Sequence, residues 1–208
     1  MKRRGLMFAV SSPSGAGKTS LCRALLDREE AGLELSISVT TRERRDGEID
    51  GKHYHFRSES DFHAMRESGG LIEHAKVFSN WYGTPRAPVE RALLEGRDIL
   101  FDIDWQGVRQ LRDGSPDDLV SLFLLPPNGD ELLNRLRTRA QDSEDVIGKR
   151  MKMASGEVDH YGEYGYIIVN RDLNESVSTA RAILTAERHR RERLVGLDDW
   201  IADLQKQL

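Results

Sequence analysis

The sequence predicts an α/β fold: a parallel sheet flanked by helices, with a small lobe inserted into it. Three observations predict it. Short apolar runs at 6–11, 98–103, 119–125 and 166–170 alternate with segments of helical spacing, the pattern of a parallel sheet. A glycine-rich turn, Ser14-Gly15-Ala16-Gly17, joins the first run to the first helix. Residues 35–95 break the alternation with hairpin-like segments, which marks the insertion.

In chain order, 6–11 follows basic residues but is too short for the apolar stretch of a signal peptide, so it reads as a buried strand. Helical spacing of Leu21, Ala24 and Leu25 places a helix over 17–28. Residues 35–39 read as another short strand, and 40–58 as loop and hairpin rich in Arg, Gly, Asp and His. A capping residue opens a helix over 60–67. Residues 71–77 alternate as a strand, and 85–95 form a helix with Pro85 and Pro88 near its start. The run DILFDI, 98–103, is apolar and ends in acid, as a strand buried on both faces does. Residues 106–112 are helical, and LVSLFLL (119–125) is a strand stopped by Pro126 and Pro127. Helices follow over 129–139 and 144–161, then a strand at 166–170 and a long helix over 174–194. In 197–208, Leu197, Trp200, Ile201, Leu204 and Leu208 share one helical face, to be buried on the chain's own core or in a homo-oligomer.

Composition narrows the function. The net charge of -4 argues against a general nucleic-acid surface, and the run ERHRRERL (187–194) interleaves glutamates, as a solvated helix does. The single cysteine, Cys22, excludes an internal disulfide and suits a reducing, cytoplasmic compartment. No stretch approaches the roughly 18 apolar residues of a membrane span. The histidines are scattered without metal-ligand spacing.

The stretch SSPSGAGKTS (11–20) ends like a phosphate-binding loop but has Ser12 where the pattern has glycine. Residues Ser14 to Gly17 let consecutive backbone N–H groups turn inward around phosphate oxygens. Lys18 reaches the terminal phosphates, Thr19 offers its hydroxyl to Mg²⁺, and the helix that follows presents its positive end. Between an apolar strand and an amphipathic helix, this is the core of a P-loop NTPase-type sheet. Asp102, at the end of DILFDI, is either a solvated cap or an anchor that holds the metal through water.

A second cluster is TTRERRDGEIDGKHY (40–54). Arg42, Arg44 and Arg45 are either a solvated charge run or, with the phenols of Tyr54 and Tyr82, a clamp for a phosphate monoester. A third is RLRTRAQDSEDVIGKR (135–150), read blandly as two charged helices and a turn.

Taken together, SPSGAGKTS, TTRERRDGEIDGKHY, LIEHAKVFSNWYGT and ILFDIDWQG resemble the bacterial guanylate kinases in order and spacing, over about residues 5–192. That family often carries a small residue other than glycine at the first loop position. The resemblance implies transfer of the γ-phosphoryl group of ATP to GMP, and to dGMP, with Mg²⁺. ATP would be held by Ser12, Pro13, Ser14, Gly15, Ala16, Gly17, Lys18, Thr19 and Ser20, with Asn170 approaching the adenine. Arg42, Arg45, Tyr54 and Tyr82 would hold the GMP phosphate, and Ser38, Glu73, Thr84 and Asp104 the guanine. Arg135, Arg139 and Arg150 would bring charge to the transferring group from a lid, acting with Lys18 and Arg42. The implied division is a core of 5–37, 96–128 and 162–192, a GMP-binding lobe of about 38–95, a lid of about 135–158 and a terminal helix of 196–208. Two departures stand out: Ala140 where the family commonly has glycine, and Arg171 in VNRD where VNDD is usual.

The physics of Glu73 agrees with the implied role. Guanine presents N1–H and a 2-amino group as adjacent donors, which suit a carboxylate, whereas adenine presents a lone pair at N1. The rivals are a phosphopeptide-binding module of the kind found in scaffold proteins and a kinase for another nucleoside monophosphate. The intact Gly17-Lys18-Thr19 and the lid arginines speak against the first; Glu73 and Asp104 speak against AMP.

Overall fold

The computed structural model describes residues 1–28, 32–77, 79–139 and 144–208, apart from the side chains of residues 139, 144 and 145. The chain enters through a short strand, Lys2–Arg3 (β1), and then buries every residue of Met7–Ser11 (β2). Period-two alternation sends Phe8 and Val10 to one face and Met7 and Ala9 to the other. Both faces are covered, so the strand reads as an unbroken apolar run.

After β2 come helix Lys18–Arg28 (α1) and strand Leu33–Leu35 (β3). The lobe follows: Val39–Thr40 (β4), His55–Phe56 (β5), Glu59–Glu67 (α2), Leu71–Val77 (β6) and Asn80–Pro85 (β7). Helix Arg86–Leu94 (α3) returns the chain to the main sheet at Asp98–Asp102 (β8). Then come Trp105–Gly114 (α4), Leu119–Leu125 (β9), Gly129–Arg139 (α5), Glu144–Val158 (α6), Tyr166–Val169 (β10) and Leu173–Arg188 (α7). The chain closes with Leu194–Val195 (β11), paired antiparallel with β1, and Leu197–Gln207 (α8).

The main sheet has the order β10-β9-β2-β8-β3, and every pair in it is parallel. On one face α1 and α7 pack Leu21, Leu25, Val177, Ala180 and Leu184 against Phe8, Val10, Leu100 and Leu122. On the other, α3 and α4 pack Val89, Leu93, Val108 and Leu111 against Met7, Ala9 and Phe101. Burial of each large side chain contributes roughly 1.5–3 kcal/mol. Cys22 belongs to the first of these layers, and burial pushes its thiol pKa up, so it is inert packing.

The lobe has its own four-stranded sheet, order β5-β4-β7-β6, with α2 laid over it through Phe62 and Met65. Helices α5 and α6 share a third small core of Leu132, Leu136, Ile147 and Ala154.

Several expectations from sequence need correction. The run 35–39 is not one strand: β3 ends at Leu35 in the main sheet, and β4 begins at Val39 in the lobe. Strand β7 went unread, because NWYGTP carries no apolar alternation. The cap of α2 is Ser58, whose side chain accepts the Asp61 N–H. Helix α3, grouped with the lobe by sequence, packs on the main sheet. Helix α7 stops at Arg188, because the chain turns so that Arg193 packs beside Glu187 at 3.6 Å and Leu194–Val195 can pair with β1.

Candidate active site

The phosphate-loop segment leaves the carboxyl end of β2, in the middle of the parallel sheet. Gly15 and Gly17 take φ of 92° and 106°, backbone that side chains disfavour. A Cβ on Gly17 would also fall 2.5 Å from Asn170 Nδ2. The loop is braced from behind. Asn170 is buried and donates from Nδ2 to the Ala16 carbonyl at 2.8 Å, while its Oδ1 accepts from Ser176 Oγ at 3.0 Å. Arg135 donates to the same Ala16 carbonyl at 3.1 Å and to Glu131 at 2.8 Å.

Asn170 thus braces the loop backbone through its amide, and Arg135 braces it through the Ala16 carbonyl. Arg139 closes α5, but its side chain, like Ala140, lies outside the described residues.

A cleft of about 520 Å³ runs from this loop to the lobe. Ser12, Pro13, Ser14, Gly15, Gly17, Lys18 and Thr19 line one end, and Ser38, Tyr54, Glu73 and Tyr82 the other. Asp102, Ile103 and Asp104 form the floor between them, and Arg150, Met153 and Glu157 of α6 the wall. Ala16 is fully buried beneath the loop, and Ser20 is exposed on the first turn of α1. Lys18 Nζ pairs with the Asp102 carboxylate and lies 3.3 Å from the Ile103 carbonyl.

At the lobe end, Glu73 is only 4% exposed. Burial raises its pKa to about 7; the Thr84 hydroxyl, donating to Oε1 at 2.6 Å, opposes that rise, and the charge of Asp104 adds to it. Thr84 thus positions Glu73 from behind. Asp104 caps α4, accepting from the Gly107 N–H at 3.1 Å and from Gln106 Nε2 at 3.0 Å. The Tyr54 and Tyr82 rings meet edge to face at 6.0 Å, and the Arg42 guanidinium sits 5.5 Å from the Tyr54 ring. Glu48 joins the two expected clamp arginines, accepting from Arg42 Nη2 at 2.7 Å and from the Arg45 N–H at 2.8 Å. Arg44 is exposed.

Sequence reading missed Glu157. Its Oε2 accepts the Ser14 N–H at 2.9 Å, so a lid carboxylate touches the phosphate loop itself. The signal existed: Arg150, Met153 and Glu157 follow helical spacing and share one face of α6. Just beyond α6, His160 stacks on Trp105 with centroids 3.8 Å apart, and Arg109 covers the Trp105 ring at 4.8 Å. Glu163 binds Arg109 at 2.6 Å and His160 at 2.7 Å, and the Arg109 bond first of all lowers its pKa to about 2. The base of the lid helix is thereby tied to the helix that carries Asp104.

One end of this cleft offers a glycine loop, a lysine and a hydroxyl, the other a buried carboxyl group and two phenols, and the floor carries Asp102 and Asp104. Known proteins resemble this chain over nearly its whole length. The family model described as guanylate kinase matches residues 4–187. A guanylate kinase of Nitrobacter winogradskyi is 57% identical over 208 residues, covering 100% of this chain and 94% of its own length. One from Rhodospirillum rubrum is 57% identical over 199 residues, covering 96% of this chain and 91% of its own. The crystal structure of guanylate kinase from Anaplasma phagocytophilum superposes with a TM-score of 0.79 at 35% identity, covering 96% of this chain and 94% of that one.

Proposed function

This chain belongs to the guanylate kinase family, and from that premise we propose how its residues carry the γ-phosphoryl group of ATP to GMP, giving ADP and GDP. The observation that supports the assignment best is the buried Glu73 carboxylate facing a cleft whose other end is a phosphate loop. Its anionic form accepts from guanine N1–H and the 2-amino group. Adenine has no donors there, so AMP would leave a buried acceptor unmet. Asp104 gives the guanine a second acceptor, and Ser38 a hydroxyl. No side chain in this assignment meets the ribose 2′-hydroxyl, so dGMP is a substrate as well.

Arg42, Arg45, Tyr54 and Tyr82 hold the GMP phosphate, which competes with Glu48 for the Arg42 guanidinium. An oxygen of that phosphate, already anionic, attacks the γ-phosphorus. The new O–P bond forms as the bond from the γ-phosphorus to the β–γ bridging oxygen breaks. The electron pair leaves on the β-phosphate of ADP, and no proton need move. The protein's work is alignment and charge neutralisation. Lys18 and the loop amides hold the ATP phosphates, and Arg150 and Arg139 act from the lid. Asn170 and Arg135 serve by bracing the loop.

The oxygen donors at the loop suit a hard cation: the Thr19 hydroxyl and the Asp102 carboxylate both line the cleft beside Lys18. They would hold Mg²⁺, Asp102 through water. When bound, the ion neutralises charge on the β- and γ-phosphate oxygens.

The sheet with α1, α3, α4 and α7 is the core, the sheet of β4–β7 is the acceptor lobe, and α5–α6 are the lid. We place the enzyme in the cytoplasm and assign it no nucleic-acid partner; a homo-oligomer through the terminal helix is the reading tested by removing 196–208. No helix among the described residues is long and apolar enough to cross a membrane. Titration calorimetry tests the pocket: GMP should bind and AMP should not, and Glu73→Gln should erase the difference. Equal binding of both by the wild type would refute the assignment.

A further inference from the structure

We infer that Gln110 is a positioning residue for guanine selection, holding the edge of β6 on α4 so that Glu73 faces the base correctly. The inference rests on the guanine pocket assigned above. Among the described residues, strand β6 is the last strand of the lobe sheet and pairs only with β7. Its outward-facing backbone groups therefore have no strand to meet them, and an unmet group at a half-buried edge is costly. At His74, next to Glu73, the carboxamide of Gln110 takes the place of that strand. Its Oε1 accepts the His74 N–H at 3.1 Å, and its Nε2 donates to the His74 carbonyl at 2.6 Å. The same Nε2 reaches back to the Gln106 carbonyl at 3.2 Å, which fixes the amide on its own helix.

One turn earlier on α4, a Cβ at Gly107 would fall 2.8 Å from Glu73 Oε2. The carboxylate thus rests on bare helix backbone. One further turn back stands Asp104, whose Oδ1 accepts the N–H of that same Gly107. Residues 104, 107 and 110 are spaced three apart and so share a side of the helix. Both carboxylates assigned to guanine are consequently registered on α4, a core helix. The lobe's own hydrophobic cluster is small, with Val39, Phe62 and Leu71 its buried members. Within the lobe the Thr84 hydroxyl holds the Glu73 carboxylate at 2.6 Å, and the Gln110 bonds fix on α4 the strand that carries it.

The test compares wild type with Gln110→Leu, which keeps bulk and loses both bonds, and with Gln110→Glu, which keeps the acceptor for His74 N–H and loses the donor. Melting temperature confirms folding, and Gln110→Glu carries the test if Gln110→Leu does not fold. In Gln110→Leu the KM for GMP should rise about tenfold, while that for ATP stays within about twofold. The ratio of kcat/KM for GMP over AMP should narrow, with Gln110→Glu intermediate. Unchanged GMP kinetics in a folded variant, or equal rises in both KM values, would overturn the inference. Glu73→Gln is measured alongside. If it too keeps full GMP preference, the pocket assignment falls and the inference with it. If it loses preference while Gln110→Leu does not, only the inference falls.

Discussion

Glu73 is the residue whose chemistry is most open to measurement. Its pKa in the folded protein, about 7, lies above the ordinary value of 4.5. Between those values the folded protein retains a proton that the unfolded chain has released. Stability contributed at this site is therefore fully present below about 4.5 and lost as pH rises through about 7, a span worth on the order of 3 kcal/mol. Glu73→Gln carries no such charge, so its melting temperature should match wild type near pH 5 and exceed it by pH 8. A gap that stays constant across that range would contradict the assigned burial. Binding runs the other way. Guanine requires the carboxylate, so GMP affinity in the wild type should climb as pH passes 7, and the Gln variant should lose the part due to Glu73. What remains in the variant belongs to the phosphate of GMP, whose second ionisation falls near pH 6.

At the level of elements, Asp98 shows how the core frame beneath the site is held. It opens β8, is fully buried, and receives Arg3 at 2.6 Å, Arg188 at 2.6 Å and the Leu6 N–H at 3.0 Å. The first strand and the last turn of α7 are thus pinned to the strand that carries Asp102. Asp98→Ala leaves two guanidinium groups without their carboxylate and should cost about 3–5 kcal/mol in urea unfolding; a loss below 1 kcal/mol would mean that the pairs are dispensable. Elements of this frame were the legible ones, since burial on both faces writes β2, β8 and β9 as plain apolar runs. The lobe was less legible. Strand β7 spends its positions on Tyr82 and Thr84, which serve the site and so break the alternation. The passage from β3 to β4 crosses between sheets, which local pattern does not record. Among site residues, the phosphate loop was readable because its chemistry is local: consecutive amides, a lysine and a hydroxyl. Glu157 and Gln110 act across 143 and 36 residues of chain, and Glu48, three residues from Arg45, reads in sequence as one more acid in a charged run. Of these only Glu157 left a periodic trace, and the bracing roles of Asn170 and Arg135 exist only once β10 and α5 stand behind the loop.

At the scale of the whole molecule, the cleft is bounded by three units with separate cores, and three of its donors already have anionic partners. Asp102 faces Lys18, Glu48 faces Arg42, and Glu157 faces the Ser14 N–H. In the proposed reaction phosphate groups would compete for these same donors, so binding would exchange one set of polar contacts for another. Far from the cleft, α8 leaves Trp200 52% and Ile201 39% exposed, with no residue of the helix buried. If this face joins two copies, removing 196–208 should lower the mass in solution to that of one chain, and an unchanged mass would exclude it. The central claim concerns the cleft, and the most direct measurement is ADP formation by the purified protein with ATP and Mg²⁺, offered GMP, AMP, CMP and UMP in parallel. Turnover should be confined to GMP and fall at least about 100-fold in Lys18→Ala. Equal turnover with another monophosphate, or none with GMP, would contradict the account.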